Sequence, residues 1–145
     1  MICVLYHGGA VALGGLLEKC DAVLDAFFPG QQGGAALADV VFGRTSPAGR
    51  LPYSVYDDGD LPAFGSSSFV SRGLTYRYTT RRPRLPFGFG LSYTIFAYSA
   101  PEASPATAGA CKDVVVRFNV TNVGNTTSDE VAQLYASGPT ADGAA

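Results

Sequence analysis

This 145-residue chain has no Trp, one Met and one His, and only 15% of its residues are charged. Its net charge is −2 and its arginines are scattered, which argues against nucleic acid as a partner. The 47% hydrophobic content without a block of like charge excludes a disordered chain. Apolar runs fall short of the roughly 18 residues of a membrane span. The first residues lack a basic segment, and their apolar run is too short for a secretion signal.

Cysteine is also scarce, and it predicts neither a metal site nor a redox compartment. The three cysteines, Cys3, Cys20 and Cys111, are odd in number and lack metal-ligand spacing. Small buried thiols are the favoured interpretation. Gly33 and Gly34 are followed by neither the Lys nor the Ser/Thr of a phosphate cradle, so they indicate close helix packing rather than nucleotide binding. We therefore expect no cofactor and no metal ion.

The first 43 residues carry the pattern of an α/β layer. Residues 2–6 form an apolar run typical of a strand in a parallel sheet covered on both faces. Residues 13–20 and 31–43 predict helices, the second ending at a glycine. Residues 22–28 fit either a short helix or a second buried strand. The order of elements favours the edge of an α/β sandwich.

The remaining residues predict a connector followed by an all-β unit. Residues 50–56 are expected to be extended and 75–79 to form a short strand, and 101–109 have the composition of a linker. Residues 114–122 and 129–137 alternate apolar and polar side chains, which predicts antiparallel strands. Two strands cannot form a stable sandwich alone, so this unit is expected to be truncated.

Several segments together resemble glycoside hydrolase family 3. The family's PGQ-x-GG-x-A-[LI]-A-D-V-[LI]-F-G run is matched by residues 29–43, PGQQGGAALADVVFG. Shorter matches follow in the family's order: SPAGRLP (46–52), LTYRY (74–78), LPFGFGLSYTIF (85–96), VTNVG (120–124) and DEVAQLY (129–135). The resemblance spans nearly the whole chain, and it is specific as a set rather than in any single motif.

The resemblance implies a partial enzyme without cofactors. Residues 1–72 would be the end of the family's C-terminal α/β sandwich domain, 73–111 a connector and linker, and 112–145 a truncated fibronectin type III-like domain. The family is retaining, with a carboxylate nucleophile and a second carboxyl as acid/base, ~5–5.5 Å apart. The resemblance places both upstream, the nucleophile in a barrel domain, so this chain alone is expected to hydrolyse no β-xyloside or β-glucoside.

The acidic residues present do not suggest a catalytic pair. Asp57, Asp58 and Asp60 cluster in a glycine-containing loop, which indicates a solvated surface. Asp129 and Glu130 are interpreted as charges at a sheet edge. Asp39, on a predicted helix, needs a donor if it faces inward, and Arg50 is the candidate. His7 is interpreted as structural or surface-exposed, since no nucleophile motif accompanies a catalytic base.

Tyr76 and Arg77 are the candidate substrate-binding residues. An aromatic ring and a guanidinium fork suit sugar rings and hydroxyls, but a clamp between domains is an equal alternative. The segment that contains them leans toward β-xylosidases among the family's enzymes. The substrate expected for a complete enzyme is an oligosaccharide or other glycoside.

Two N-glycosylation acceptor patterns, at Asn119 and Asn125, favour the secretory route, and so does the family. Asn119 alternates out of phase with its apolar neighbours and is expected to face solvent. The runner-up function is a noncatalytic scaffold or a carbohydrate-associated binding module.

Overall fold

The computed structural model describes residues 1–57, 59, 73, 75–104 and 113–136. In chain order its elements are β1 (Ile2–Leu5), α1 (Leu16–Lys19), β2 (Ala22–Asp25), α2 (Gly33–Val41), α3 (Thr75–Tyr78), β3 (Phe96–Tyr98), β4 (Glu102–Ser104), β5 (Val115–Arg117) and β6 (Val120–Asn122). Within these ranges, every helix is too short to cross a membrane.

The parallel pair predicted at the start of the chain is present. β1 pairs with β2 in register, from Ile2 opposite Ala22 to Leu5 opposite Asp25. Of the two alternatives for residues 22–28, the strand is the one formed. The preceding helix is shorter than predicted, because the backbone at Gly14 has a φ of 50° and α1 begins only after Gly15.

Glycines lie at both ends of helix α2: Gly33 is its first residue, and Gly43 follows its last turn. A Cβ at Gly33 would lie 2.6 Å from the Pro29 ring, so the helix can begin this close to the preceding turn only with glycine. Gly43 has a φ of 74° and its N–H donates to the Val40 carbonyl, which ends the helix as predicted.

The most buried side chains lie where residues 50–56 meet the segment before β3. Val55 is 2% exposed and pairs with Leu85 in an antiparallel bridge. Leu51 donates to the Phe89 carbonyl and accepts from the Gly88 N–H. The extended prediction for residues 50–56 therefore holds at these bonds.

Cys3 and Cys20 form a disulfide, with Cα atoms 6.0 Å apart. The interpretation of these two cysteines as buried thiols is therefore wrong. A separation of 17 residues gave no signal, because the approach depends on α1 turning the chain back alongside β1. Cys111 lies outside the described residues.

Residues 75–79 are not the predicted strand. Thr75–Tyr78 is a short helix that the Thr79 N–H closes on the Thr75 carbonyl. The β-favouring composition is overridden by tertiary packing, since the Tyr76 ring stacks on Phe87 with centroids 4.5 Å apart.

The predicted strand over residues 114–122 is two strands with different partners. β5 pairs antiparallel with β4, and β6 pairs antiparallel with β3. The break falls at Phe118 and Asn119, where the Asn119 N–H turns to the Ser99 hydroxyl at 2.9 Å. Alternation predicted the extended chain but carries no information on which strand pairs with which.

The second predicted strand, 129–137, is described as far as residue 136 and forms no strand there. Its side chains contact the preceding connector instead. Glu130 pairs with Arg50, and the Tyr135 ring meets Tyr76 edge-on at 5.6 Å. Alternation of apolar and polar side chains indicates that one side of the chain contacts the rest of the protein. These residues make such contacts without pairing to a neighbouring strand.

Candidate functional site

The carboxyl ends of β1 and β2 bring together a group of side chains, the carboxyl-edge cluster, formed by His7, Asp25, Phe27 and Tyr53. Because the strands are parallel and in register, His7 follows β1 at the same edge at which Asp25 ends β2. His7 Nε2 lies 3.0 Å from Asp25 Oδ1. Tyr53, in the extended segment 50–56, donates its hydroxyl to Asp25 Oδ2 at 2.8 Å. This edge is where open parallel sheets place their ligands.

The cluster is largely shielded from water. The His7 and Asp25 side chains are 13% and 17% exposed. His7 Nδ1 lies 2.5 Å from the Gly9 carbonyl oxygen, so Nδ1 is the nitrogen that donates there. Burial raises the pKa of Tyr53 above its ordinary value, and the hydrogen bond to Asp25 and the charge of Asp25 raise it further. Tyr53 therefore remains a donor throughout the physiological range.

Phe27 gives the cluster its fixed shape. Its φ of 50° is the left-handed region, which is unfavourable for a bulky aromatic residue. Its ring packs on His7 and Tyr53, with centroid distances of 5.1 and 5.9 Å. Packing on two sides holds this backbone conformation. His7 is thus packed rather than surface-exposed, which leaves the structural role as the prediction.

Tyr76 and Arg77 lie apart from this cluster. Tyr76 is 48% exposed, and its ring contacts Phe87 and Tyr135. The Arg77 guanidinium lies 5.7 Å from the Tyr78 ring centre. In the part of the chain that the structure describes, neither residue makes a hydrogen bond or ring contact with the cluster. These contacts favour the clamp, one of the two roles weighed from the sequence.

Of the three acidic residues in the loop predicted to be solvated, the structure describes Asp57. This carboxylate is 65% exposed and pairs with Arg84, which also binds Glu18. Asp58 and Asp60 lie outside the described residues. Two exposed carboxylates with a guanidinium between them lack the apolar wall that would keep one protonated.

The predicted pair between Asp39 and Arg50 is wrong. Asp39 lies on an exposed part of α2 and pairs with Arg44 at 3.3 Å. Arg50 instead binds Glu130, and these two side chains are only 12% and 13% exposed. Glu130 is consequently not a sheet-edge charge but one partner of a partly buried ion pair.

The Arg50–Glu130 pair, with Tyr98, forms a second contact cluster, the Arg50–Glu130 clamp, which sequence reasoning missed. The Tyr98 hydroxyl donates to Glu130 Oε1 at 2.5 Å, and this hydrogen bond is the main cause that raises the pKa of Tyr98. Arg50 and Glu130 are 80 residues apart, so spacing gave no signal. The signal that the sequence did carry is the position of Arg50, beside Gly49, in the SPAGRLP motif that resembles the family.

Glycines let the two sides of this clamp approach. A Cβ at Gly88, where φ is 79°, would lie 2.1 Å from the Gln133 side chain. A Cβ at Gly90 would lie 2.3 Å from the Gly49 carbonyl. The expectation that these glycines sit where a Cβ would clash is confirmed.

An open cavity of about 760 Å³ lies between β2, α2 and the connector. Its lining is mainly aliphatic and includes Leu24, Leu37 and Leu51. Four polar residues, Asp21, Asp25, Arg50 and Tyr53, also line it. The cavity thus joins the carboxyl-edge cluster to the clamp.

Both glycosylation acceptors are exposed. Asn119 faces solvent as expected from its phase, at the break between β5 and β6. Asn125 lies in the bend after β6. The threonines that complete both acceptor patterns, Thr121 and Thr127, are also exposed.

Comparison with known proteins gives consistent results. Residues 1–93 match the family model described as glycosyl hydrolase family 3 C-terminal domain. A xylan 1,4-beta-xylosidase from Xylanibacter ruminicola is 42% identical over 136 residues, which cover 93% of this chain and 15% of that enzyme. A periplasmic beta-glucosidase from Salmonella typhimurium is 35% identical over 154 residues, covering 97% of this chain and 20% of that protein.

A similar likeness holds in three dimensions. A crystal structure of beta-D-glucoside glucohydrolase from Trichoderma reesei superposes with a TM-score of 0.70 and 31% identity, covering 88% of this chain and 22% of that one. The chain spans a fifth or less of the two relatives by sequence and about a fifth of the solved structure.

Proposed function

Because this chain belongs to glycoside hydrolase family 3, we propose that it supplies the C-terminal part of a retaining, exo-acting β-glycosidase that hydrolyses β-xylosides or β-glucosides. The observation that carries the proposal is the 42% identity to a xylan 1,4-beta-xylosidase over 93% of the chain. The reaction belongs to the complete enzyme, and this segment positions and supports it.

We propose the same division of the chain as the resemblance implies. Residues 1–72 are the end of the α/β sandwich domain, 73–111 the connector, and 112–145 the start of a fibronectin type III-like domain. The parallel β1–β2 pair with α1 and α2 supports the first assignment. The antiparallel strands β5 and β6 support the last, although their partners β4 and β3 lie in the proposed connector.

Residues 1–145 alone are proposed to be inactive. A retaining glycosidase needs two carboxyl groups about 5–5.5 Å apart, one ionised and one protonated. The best-shielded carboxylates in the described ranges are Asp25 and Glu130. Asp25 contacts His7 and Tyr53, whereas Glu130 contacts Arg50 and Tyr98. The donors on them are Tyr53 for Asp25, and Arg50 with Tyr98 for Glu130, rather than the protonated second carboxyl of a catalytic pair.

What these residues do in the enzyme follows from their contacts. The carboxyl-edge cluster fixes the ends of two parallel strands, the edge at which a ligand would be met. The Arg50–Glu130 clamp fixes the following segment against the same layer. We propose that Tyr76 acts mainly in this docking and that a sugar contact, where made, uses its exposed face and Arg77.

An extracellular or secretory location is proposed for the enzyme. The Cys3–Cys20 disulfide supports it, since disulfides persist in oxidising compartments. The exposed acceptor sites at Asn119 and Asn125 support it as well, and one relative is named periplasmic.

A chimera tests the proposal directly. In the Xylanibacter ruminicola xylosidase, the matched segment is replaced by the corresponding residues of this chain, and turnover of an aryl β-xyloside is measured. We expect soluble, active protein. The matched control is the same xylosidase with the segment deleted, which should be inactive. A folded chimera without activity on either an aryl β-xyloside or an aryl β-glucoside would contradict the proposal and favour a noncatalytic module.

A further inference from the structure

The disulfide between Cys3 and Cys20 lies toward the amino ends of β1 and β2, whose carboxyl ends carry the carboxyl-edge cluster, and the function proposed above gives it no catalytic or docking role. Cys3 is in the middle of β1, and Cys20 is the residue that ends α1. The bond spans 17 residues, so it closes a loop that contains all of α1. It therefore fixes β1 directly to the residues that lead into β2.

Few other contacts hold β1 in place. Among the described residues its only strand partner is β2, through four residue pairs. The backbone bond from the Asp21 N–H to the Met1 carbonyl extends the pairing at one end, and that from Ala26 to Leu5 extends it at the other. Most side chains of β1 are partly or fully exposed. A pair of short strands is marginal by itself, so the covalent link is a large share of what keeps β1 paired.

The position of β1 also determines that of His7. His7 follows the strand after a single residue, and its imidazole reaches Asp25 from there. Phe27 packs its ring against the same imidazole. Release of β1 would withdraw His7 from Asp25 and remove one of the two rings that hold the strained Phe27 backbone.

A reductant can reach the bond. Both cysteines are only partly buried, and Cys20 lines the wall of the open cavity. Thiol–disulfide exchange requires a thiolate to approach one sulfur. The cavity offers that approach on the side of Cys20.

We propose that the Cys3–Cys20 disulfide is a redox-sensitive lock on β1 and, through β1, on the carboxyl-edge cluster. A dithiol opens it in two steps. Its thiolate attacks one sulfur to form a mixed disulfide, and its second thiol then displaces the cysteine to give a cyclic disulfide. Two electrons pass from the dithiol to the cysteine sulfurs, and two protons leave the dithiol thiols and are balanced on the cysteine thiols. The ordered cluster is therefore a property of oxidising compartments.

Two measurements on purified residues 1–145 test the lock. Peptide mapping without reductant is expected to recover Cys3 linked to Cys20. Hydrogen exchange is then followed at the Ile2–Leu5 amides with and without dithiothreitol. The entropy of closing a loop of this length predicts exchange about a hundredfold faster after reduction. The α2 amides serve as the internal reference.

Variants separate the bond from general effects of the reagent. Cys111→Ser is the matched control and should respond to dithiothreitol like the parent chain. Cys3→Ser combined with Cys20→Ser should exchange like the reduced parent and ignore the reagent. A Cys3 or Cys20 peptide linked to Cys111, or β1 exchange unchanged by reduction, would overturn the proposal. Where the double variant does not fold, the comparison of oxidised and reduced parent decides the question alone.

Discussion

The region up to residue 57 and the segment from β3 to residue 136 are held by different kinds of contact. In the first, the paired strands β1 and β2 bring His7 and Asp25 together at their shared edge, and a disulfide fastens the pair. In the second, the paired strands are three residues long and largely exposed. That segment is attached to the rest by side chains, above all by Arg50 and Glu130. The carboxyl-edge cluster thus depends on which strands pair, whereas the attachment of the later segment depends on individual contacts between residues far apart in the sequence.

The largest expected effect comes from breaking the clamp. Arg50→Met leaves the partly buried Glu130 without its cation, which should lower the free energy of unfolding by about 3 kcal/mol, the lower end of the range for buried pairs. Arg44→Met, at an exposed pair with Asp39, is the matched control and should cost about 0–1 kcal/mol. Urea unfolding of the two variants checks the difference.

The double variant sharpens this prediction. Arg50→Met combined with Glu130→Met removes both charges and should recover much of the lost stability, since the unpaired charge dominates the cost. Equal losses for the single and double variants would show that packing rather than charge holds the segment.

A smaller effect is expected from the carboxyl-edge cluster. Tyr53→Phe leaves Asp25 Oδ2 without its donor, which should cost about 1–3 kcal/mol in thermal or urea unfolding. The control is Tyr78→Phe, which should be nearly neutral because the Tyr78 hydroxyl has no hydrogen-bond partner among the described residues. A neutral Tyr53→Phe would show that the cluster is held by ring packing alone.

The same tyrosine gives a dependence on pH. Its pKa is raised in the folded chain, so its stabilising contribution is complete below pH ~10 and is lost as the pH rises above that value. The melting temperature of the parent chain should therefore fall more steeply between pH ~9.5 and ~11 than that of Tyr53→Phe. Parallel curves for the two proteins would contradict the assignment.

The aromatic contact of α3 should contribute less. Tyr76→Ala removes a stacked ring and an edge contact while the residue is half exposed, so we expect a loss of about 1 kcal/mol. The same change should leave the hydrogen exchange of β1 unaltered, because Tyr76 docks the later segment only. Faster exchange at β1 would mean that the two regions are coupled.

Glycosylation should perturb neither region measurably. In a eukaryotic secretory host, with a signal sequence added, Asn119 and Asn125 are expected to carry glycans, because both are exposed. Mass spectrometry before and after glycosidase treatment reports occupancy, with Thr121→Ala and Thr127→Ala as site-specific controls. An unchanged mass would refute the prediction.

Sequence predicted the local elements better than their partners. The apolar run of β1, the glycine that ends α2 and the clash at Gly88 follow from neighbouring residues, and the structure contains all three. The sequence predicted a strand at 75–79 instead of the helix Thr75–Tyr78, because the stacking of Tyr76 on Phe87 outweighs the strand preference of Thr and Tyr. Family membership followed from the ordered motifs.

The candidate site was less predictable than the fold. His7 and Asp25 meet only because β1 and β2 pair in one particular register, which residues 22–28 left undecided. The Arg50–Glu130 pair and the disulfide join positions whose approach depends on the path of the intervening chain. Charge and spacing identify such residues without identifying their partners.

Turnover of aryl β-xyloside and aryl β-glucoside by purified, soluble residues 1–145 tests the central claim most directly. No turnover is expected, because the two best-shielded carboxylates that the structure describes are not paired with each other: Tyr53 donates to Asp25, and Arg50 and Tyr98 donate to Glu130. The same residues should support turnover only when they replace the matched segment of the Xylanibacter ruminicola xylosidase. Turnover by the short chain that is abolished by Asp57→Asn, Asp58→Asn or Asp60→Asn would contradict the account and place the chemistry in the acidic loop.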